Sequence, residues 1–156
     1  MRIIRRTPAT VGVVGLGRTG LPLALALARA GLLTTGLDTD RTKVAALRRG
    51  ESHLGDDLQA VADWFEPTTD PSLLTGLDAY VITTPAAVDT IAPLITRGAL
   101  VVVGTDAVAD VTRRLAEGSG LHPGSDFHIH TANDVSATLS ALNLWSLTDK
   151  PVVQAA

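Results

Sequence analysis

Residues 15–20 read G-L-G-R-T-G and open an apolar Leu/Ala run. Glycines at this spacing suit a loop that cradles a pyrophosphate. Gly15 permits a tight turn, Gly17 lets main chain approach a phosphate, and Gly20 lets the following helix pack close to the preceding strand. In this loop, which also holds Leu16 and Thr19, the free N–H groups around Arg18–Gly20, with the positive end of a helix dipole, attract the anion. Asp38 lies a βα unit further on, at the distance expected of a carboxylate that accepts adenosine ribose hydroxyls. A carboxylate there repels a 2′-phosphate, so NAD is expected over NADP, although Arg18 and Arg41 are both placed to meet such a phosphate.

A second group of residues could move protons. In Asp126-Phe127-His128-Ile129-His130, strand alternation sets Asp126, His128 and His130 on one face. Asp134 follows closely, and Asp106 stands near the start of an expected helix, where capping it is the simpler reading. His128, His130, Asp134 and Asp106 are therefore candidate acid–base residues. The two histidines lack an identifiable full ligand set, so no metal is expected.

Elements that position these residues follow from periodicity and punctuation. Val11–Val14 is β-branched and ends in glycine, as a buried parallel strand does. Leu21–Ala30 reads as a helix stopped by Gly31, with Pro22 tolerated in its first turn. Leu33–Leu37 is a second strand, and Asp40 caps a helix running through Arg49. Beyond it the chain predicts helix at 56–64, strand at 65–68, a short helix after Asp70-Pro71, and strand at 79–83. Helix 88–96, strand 99–103, helix 106–117, strand 126–130 and helix 135–147 complete the alternation. Alternating strands and helices imply right-handed crossovers and a single Rossmann-like α/β domain: a doubly wound, mostly parallel sheet with helices on both faces. The expected domain spans 10–148, with tails at 1–9 and 149–156.

Bulk properties narrow the function classes. A net charge of −3 argues against nucleic-acid and anionic-membrane binding. The chain has no cysteine, which excludes disulfides and thiolate chemistry. The basic N-terminus lacks an apolar core for a secretory signal, and no stretch is long enough to span a bilayer, so a cytoplasmic location is expected. Val135, Leu139, Leu142 and Trp145 fall on one helical face, which would pack on the sheet or form a homodimer interface through the 135–145 helix.

Residues 11–28, V-G-V-V-G-L-G-R-T-G-L-P-L-A-L-A-L-A, resemble the opening of the UDP-glucose/GDP-mannose dehydrogenases, whose loop reads G-L-G-Y-V-G-L-P. The resemblance continues through G-L-D-T-D-R-T-K-V-A-A-L-R-R-G-E-S (36–52), T-T-D-P-S-L-L-T-G-L-D-A-Y-V-I-T-T-P (68–85), G-A-L-V-V-V-G-T-D (98–106) and G-L-H-P-G-S-D-F-H-I-H-T-A-N-D (120–134). It implies an NAD-binding domain in which Lys43 flanks the adenosine and Thr83, Thr84 and Pro85 line the cofactor cleft. Asp106 falls on the family's Thr of S-T, and Asp134 on its Glu of S-P-E near the reacting centre.

Departures from the family are specific. Its enzymes oxidise a sugar alcohol twice using a catalytic Cys, a Lys on a central helix and a second domain. This chain has no Cys, and Lys150 in the terminal tail does not match that Lys. The expected function is redox chemistry on a small or unusual substrate bound in the crevice at the strand ends, short of full sugar oxidation. The alternatives are a non-redox acid–base enzyme, such as an isomerase or cyclase, and a non-catalytic dinucleotide-binding subunit.

Overall fold

A computed structural model describes residues 9–55, 57–132 and 134–147. Both expected tails therefore fall almost wholly outside the described residues. Six strands form one parallel sheet: β1 (Thr10–Val14), β2 (Leu33–Leu37), β3 (Phe65–Thr68), β4 (Ala79–Ile82), β5 (Leu100–Val103) and β6 (His128–Thr131). Their spatial order is β3-β2-β1-β4-β5-β6, and every neighbouring pair is parallel. The chain runs outward from β1 to one edge, then returns to β4 and runs to the other. That reversal opens a crevice at the C-terminal ends of β1 and β4, where doubly wound sheets bind ligands.

Among the described residues, five α-helices cover the sheet: α1 (Gly20–Arg29), α2 (Arg41–Arg48), α3 (Ala87–Ile91), α4 (Val108–Ser119) and α5 (Val135–Leu147). One face buries Val11, Val13, Val81, Leu100 and Val102 against α1 and α5 residues including Leu25, Leu27 and Leu142. The other buries Tyr80, Ile82, Val101 and Val103 against Val88, Ile91, Val111 and Leu115 of α3 and α4. Alternate residues of each central strand thus face opposite layers. β4 and β5 are buried along their whole length, which is why they read as continuous apolar runs.

Several boundaries moved for identifiable reasons. Residues 57–64 form only a 3₁₀ turn over Gln59–Val61. The segment from Pro71 to Leu74 is also 3₁₀, capped by Asp70, whose carboxylate accepts the Ser72 N–H at 3.0 Å. The helix expected at 88–96 is α up to Ile91 and 3₁₀ over Ala92–Leu94, because Pro93 supplies no N–H to continue the ladder. Gly31 and Gly50 follow α1 and α2 with φ of +86° and +80°, conformations that stop a helix at little cost only in glycine.

The 135–147 helix forms as expected, and of its expected inward face Leu142 is buried and Leu139 packs partly buried against the core. Thr138, Ala141 and Leu142 are buried, whereas Val135 is 36% exposed. The Trp145 side chain lies outside the described residues. Asp134 holds the first turn: its carboxylate accepts the Ala137 N–H at 2.7 Å, and its carbonyl accepts the Thr138 N–H and hydroxyl.

Candidate functional site: the glycine loop and its carboxylate

The loop after β1 is held by main chain and by one buried side chain. Gly15 donates its N–H to Leu37 O at 2.7 Å and adopts φ +91°. Leu16 is fully buried, and its side chain occupies the space a Cβ on Gly36 would need, 2.6 Å away. Gly36 is thus part of the loop's anchorage, and its lack of a side chain inside a strand was the available signal. At Gly20 a Cβ would meet Gly15 O at 1.7 Å, so only glycine permits this approach of α1 to the loop. At Gly17 a Cβ would meet nothing within 4 Å. Its bareness serves no internal contact and leaves room on the ligand side.

The N-terminus of α1 is suited to an anion. Thr19 precedes the helix in an αR conformation with no side-chain cap, and no acidic residue stands in the first turn. The first turn closes with Leu21 N–H on Gly17 O at 3.1 Å. The N–H groups of Arg18, Thr19 and Gly20 therefore have no helical acceptor. Arg18 and Thr19 are both exposed on this rim.

Asp38 closes the other side. Its Oδ2 accepts the Leu16 N–H at 2.9 Å and the Lys43 ammonium at 3.3 Å, and its Oδ1 accepts the Asp40 N–H at 2.9 Å. Partial burial pushes the Asp38 carboxyl up, but the N–H groups of Asp40 and Leu16 and the Lys43 cation outweigh it and hold it below its ordinary value. A carboxylate has about four acceptor positions. The remaining one, on Oδ1, is what a ribose hydroxyl requires. Asp40 caps α2 through the Thr42 and Lys43 N–H groups, which fixes the first turn that carries Lys43.

Thr83, Thr84 and Pro85 follow β4 directly, on the far side of the crevice from Gly15, and turn the chain into α3 through Ala87 N–H on Thr84 O. Gly104 follows β5 and donates to Ile82 O at 2.9 Å. Asp106 comes two residues later, exposed, and does not cap α4: the N-cap is Ala107, with no side-chain hydrogen bond. Asp134 stands at the same end of the sheet, after β6, with its carboxylate on α5.

The two histidines and Asp126 are not brought together at the strand ends. Asp126 precedes β6, at the opposite end of the sheet. It accepts the His122 N–H at 2.9 Å and pairs with Arg97 at 3.7 Å. His128 and His130 pair in register with Leu100 and Val102, which places them within the strand on the α1/α5 face, both exposed. A cavity of about 700 Å³ lies at the far side of the sheet, lined by Arg48, Leu58, Trp64 and Phe65. No residue of the glycine loop, nor Asp38, lines it, so it is not the crevice.

Comparison with known proteins agrees with this geometry. Residues 10–152 match the family model described as the NAD binding domain of 6-phosphogluconate dehydrogenase. The chain is 30% identical over 141 residues to the UDP-N-acetyl-D-mannosamine dehydrogenase of Salmonella typhi, an alignment covering 76% of this chain and 33% of that protein. In three dimensions it resembles the UDP-D-ManNAc dehydrogenase of Pyrococcus horikoshii (TM-score 0.69, 21% identity, 84% of this chain and 38% of that one). It also resembles a GDP-mannose dehydrogenase of Pseudomonas aeruginosa (TM-score 0.67, 19% identity, 84% and 38%). The chain spans about a third of the length of the curated relatives it matches. A reversed strand order, an uncapped helix behind three glycines and a carboxylate at the end of β2 are the parts such a domain needs, and the chain belongs to the family of the NAD-binding domain of 6-phosphogluconate dehydrogenase, a Rossmann domain related to the nucleotide-sugar dehydrogenases.

Proposed function

We propose that this domain holds NAD(H) across the crevice between β1 and β4 and supports redox chemistry on a small alcohol or carbonyl compound. The observation that carries this reading is the Asp38–loop arrangement. A carboxylate with one acceptor position left stands beside amides that have no helical partner. Bound NAD supplies the hydride acceptor. The pyrophosphate would lie against Leu16, Gly17, Arg18, Thr19 and Gly20, and the adenosine ribose against Asp38 with Lys43 beside it. Thr83, Thr84 and Pro85 would line the nicotinamide side.

A substrate alcohol must lose a proton as its hydride leaves, so a base is required near the nicotinamide. Asp106 is the best placed of the four candidates. It follows β5, next to β4, and its carboxylate has no capping duty. Asp134 is committed to α5, and His130 and His128 emerge from a sheet face rather than from the strand ends.

Calorimetric titration with NAD, NADH and NADPH tests the reading. Micromolar NAD(H) binding that weakens at least tenfold in Asp38→Ala is expected, and undiminished binding in that variant would remove the ribose contact. A second reading rests on the placement of the acid–base candidates, of which His128 and His130 lie within a sheet face and Asp134 holds the first turn of α5: a dinucleotide-binding subunit that leaves chemistry to another polypeptide. It keeps NAD binding, and Asp106→Asn then changes no turnover by the assembled protein.

A further inference from the structure

The two edges of the sheet are built differently. On β3, Thr34 N–H donates to Trp64 O and Asp38 N–H to Thr68 O, so even-numbered residues face β2 and Phe65 and Pro67 face outward. Pro67 has no N–H to offer, and its carbonyl already accepts the Arg48 Nε at 3.1 Å. That edge is closed to another strand. On β6, His128 N–H donates to Ala99 O at 2.9 Å and Ala132 N–H to Val103 O at 3.1 Å. By alternation the main-chain N–H and C=O of Ile129 and Thr131 point away from β5. Neither residue is a proline, and His130 and Thr131 are exposed. At the start of β6 the edge is finished off: Phe127 O accepts the Gly124 N–H at 2.7 Å.

We infer that β6 pairs with β6 of a second copy of this chain, antiparallel, about a two-fold axis through His130. The register is self-complementary. Ile129 stands opposite the partner's Thr131, and the two exchange N–H···O bonds in both directions; the symmetric pair does the same. His130 meets the partner's His130 in a non-hydrogen-bonded position, with Cα atoms about 4.5 Å apart. Overlap is needed only from His128 to Ala132, clear of the turn that caps Phe127.

Closure argues for a second copy. Because β3 is blocked by Pro67 and Arg48, joining at β6 gives a closed dimer and no open-ended sheet. The axis also brings the two α5 helices onto one face of the joined sheet, since α5 packs on the side that carries Leu100, Val102 and therefore His128 and His130. A five-residue strand overlap is small, and interfaces below about 1,200 Å² belong to the weak, reversible class. A concentration-dependent dimer is expected.

Light scattering and sedimentation of the full chain over a concentration series test this, combined with amide hydrogen exchange. Mass should rise from 16.2 kDa towards twice that value. The Ile129 and Thr131 amides should gain protection with concentration, while those of His128 and Ala132 stay protected throughout. Thr131→Pro removes an outward N–H and no internal bond. It should weaken association about tenfold or more. Should that variant fail to fold, His130→Lys, which sets two ammonium groups on the axis, should have the same effect. A single 16.2 kDa species up to about 1 mM, the weak end of specific association, would overturn the inference. So would a dimer whose Ile129 and Thr131 amides exchange as fast as in the monomer, or a monomer in which they are already protected by residues 148–156.

Discussion

The Asp38 carboxylate accepts the Leu16 N–H at 2.9 Å, so the residue expected to hold the ribose also ties the end of β2 to the loop after β1. One side chain thereby serves the fold and, in the function proposed above, the ligand as well. Leu16 N–H and Asp40 N–H would both lose an acceptor in Asp38→Ala. Each such loss costs about 1–3 kcal/mol where the group is shielded from water. Lower thermal stability is therefore expected together with weaker NAD binding. Asp38→Asn, which keeps one oxygen acceptor, should recover part of the stability and less of the affinity; a stability equal to wild type in Asp38→Ala would show that the Leu16 bond contributes nothing.

Gly17 and Gly20 should separate under the same substitution. Gly20→Ala places a Cβ 1.7 Å from Gly15 O, which requires the loop and α1 to move apart. A loss of about 3 kcal/mol or more is expected from such overpacking at a main-chain contact, readable in urea denaturation. Gly17→Ala meets nothing within 4 Å and should leave the denaturation midpoint nearly unchanged while weakening NAD binding, because its methyl group would stand where the pyrophosphate approaches. Equal affinity in Gly17→Ala would argue against pyrophosphate at this loop.

Acid should reveal the Asp38 network. Its folded-state carboxyl titrates below the ordinary 3.8, so its contribution is complete above that value and is lost as pH falls through the lower, folded value. Wild-type stability should therefore decline in this acid window more steeply than that of Asp38→Asn. Parallel pH profiles for the two proteins would contradict the assignment.

Tyr80 supplies a test of the opposite layer. It is fully buried, donates to Leu74 O at 2.6 Å and accepts the Leu77 N–H at 3.1 Å. Burial pushes its phenol up, despite hydrogen bonds from nearby main chain that pull it down, so it remains protonated through the neutral range. Tyr80→Phe strands a buried carbonyl and should cost about 1–3 kcal/mol, with NAD affinity unchanged because Tyr80 faces the α3/α4 layer away from the loop.

Five of the strands, the glycine loop and the place of Asp38 were legible in the sequence, because each of these obeys a local rule, whereas the last strand begins two residues later than its alternation suggests. Buried parallel strands are continuous β-branched runs, as in Leu100–Val103, and a glycine–carboxylate spacing within one βαβ unit is set by the lengths of its elements. Asp40 as a cap was legible for the same reason. What depended on distant chain was not. The use of Asp38 by Leu16 and the pairing of Leu16 with Gly36 arise only when β2 lies against β1. The sheet face that His128 and His130 occupy is decided by register with Leu100 and Val102, and the end of the sheet at which Asp126 stands by strand direction. Alternation could group those three residues on one face; the parallel order of the strands decides at which end of the sheet each of them stands.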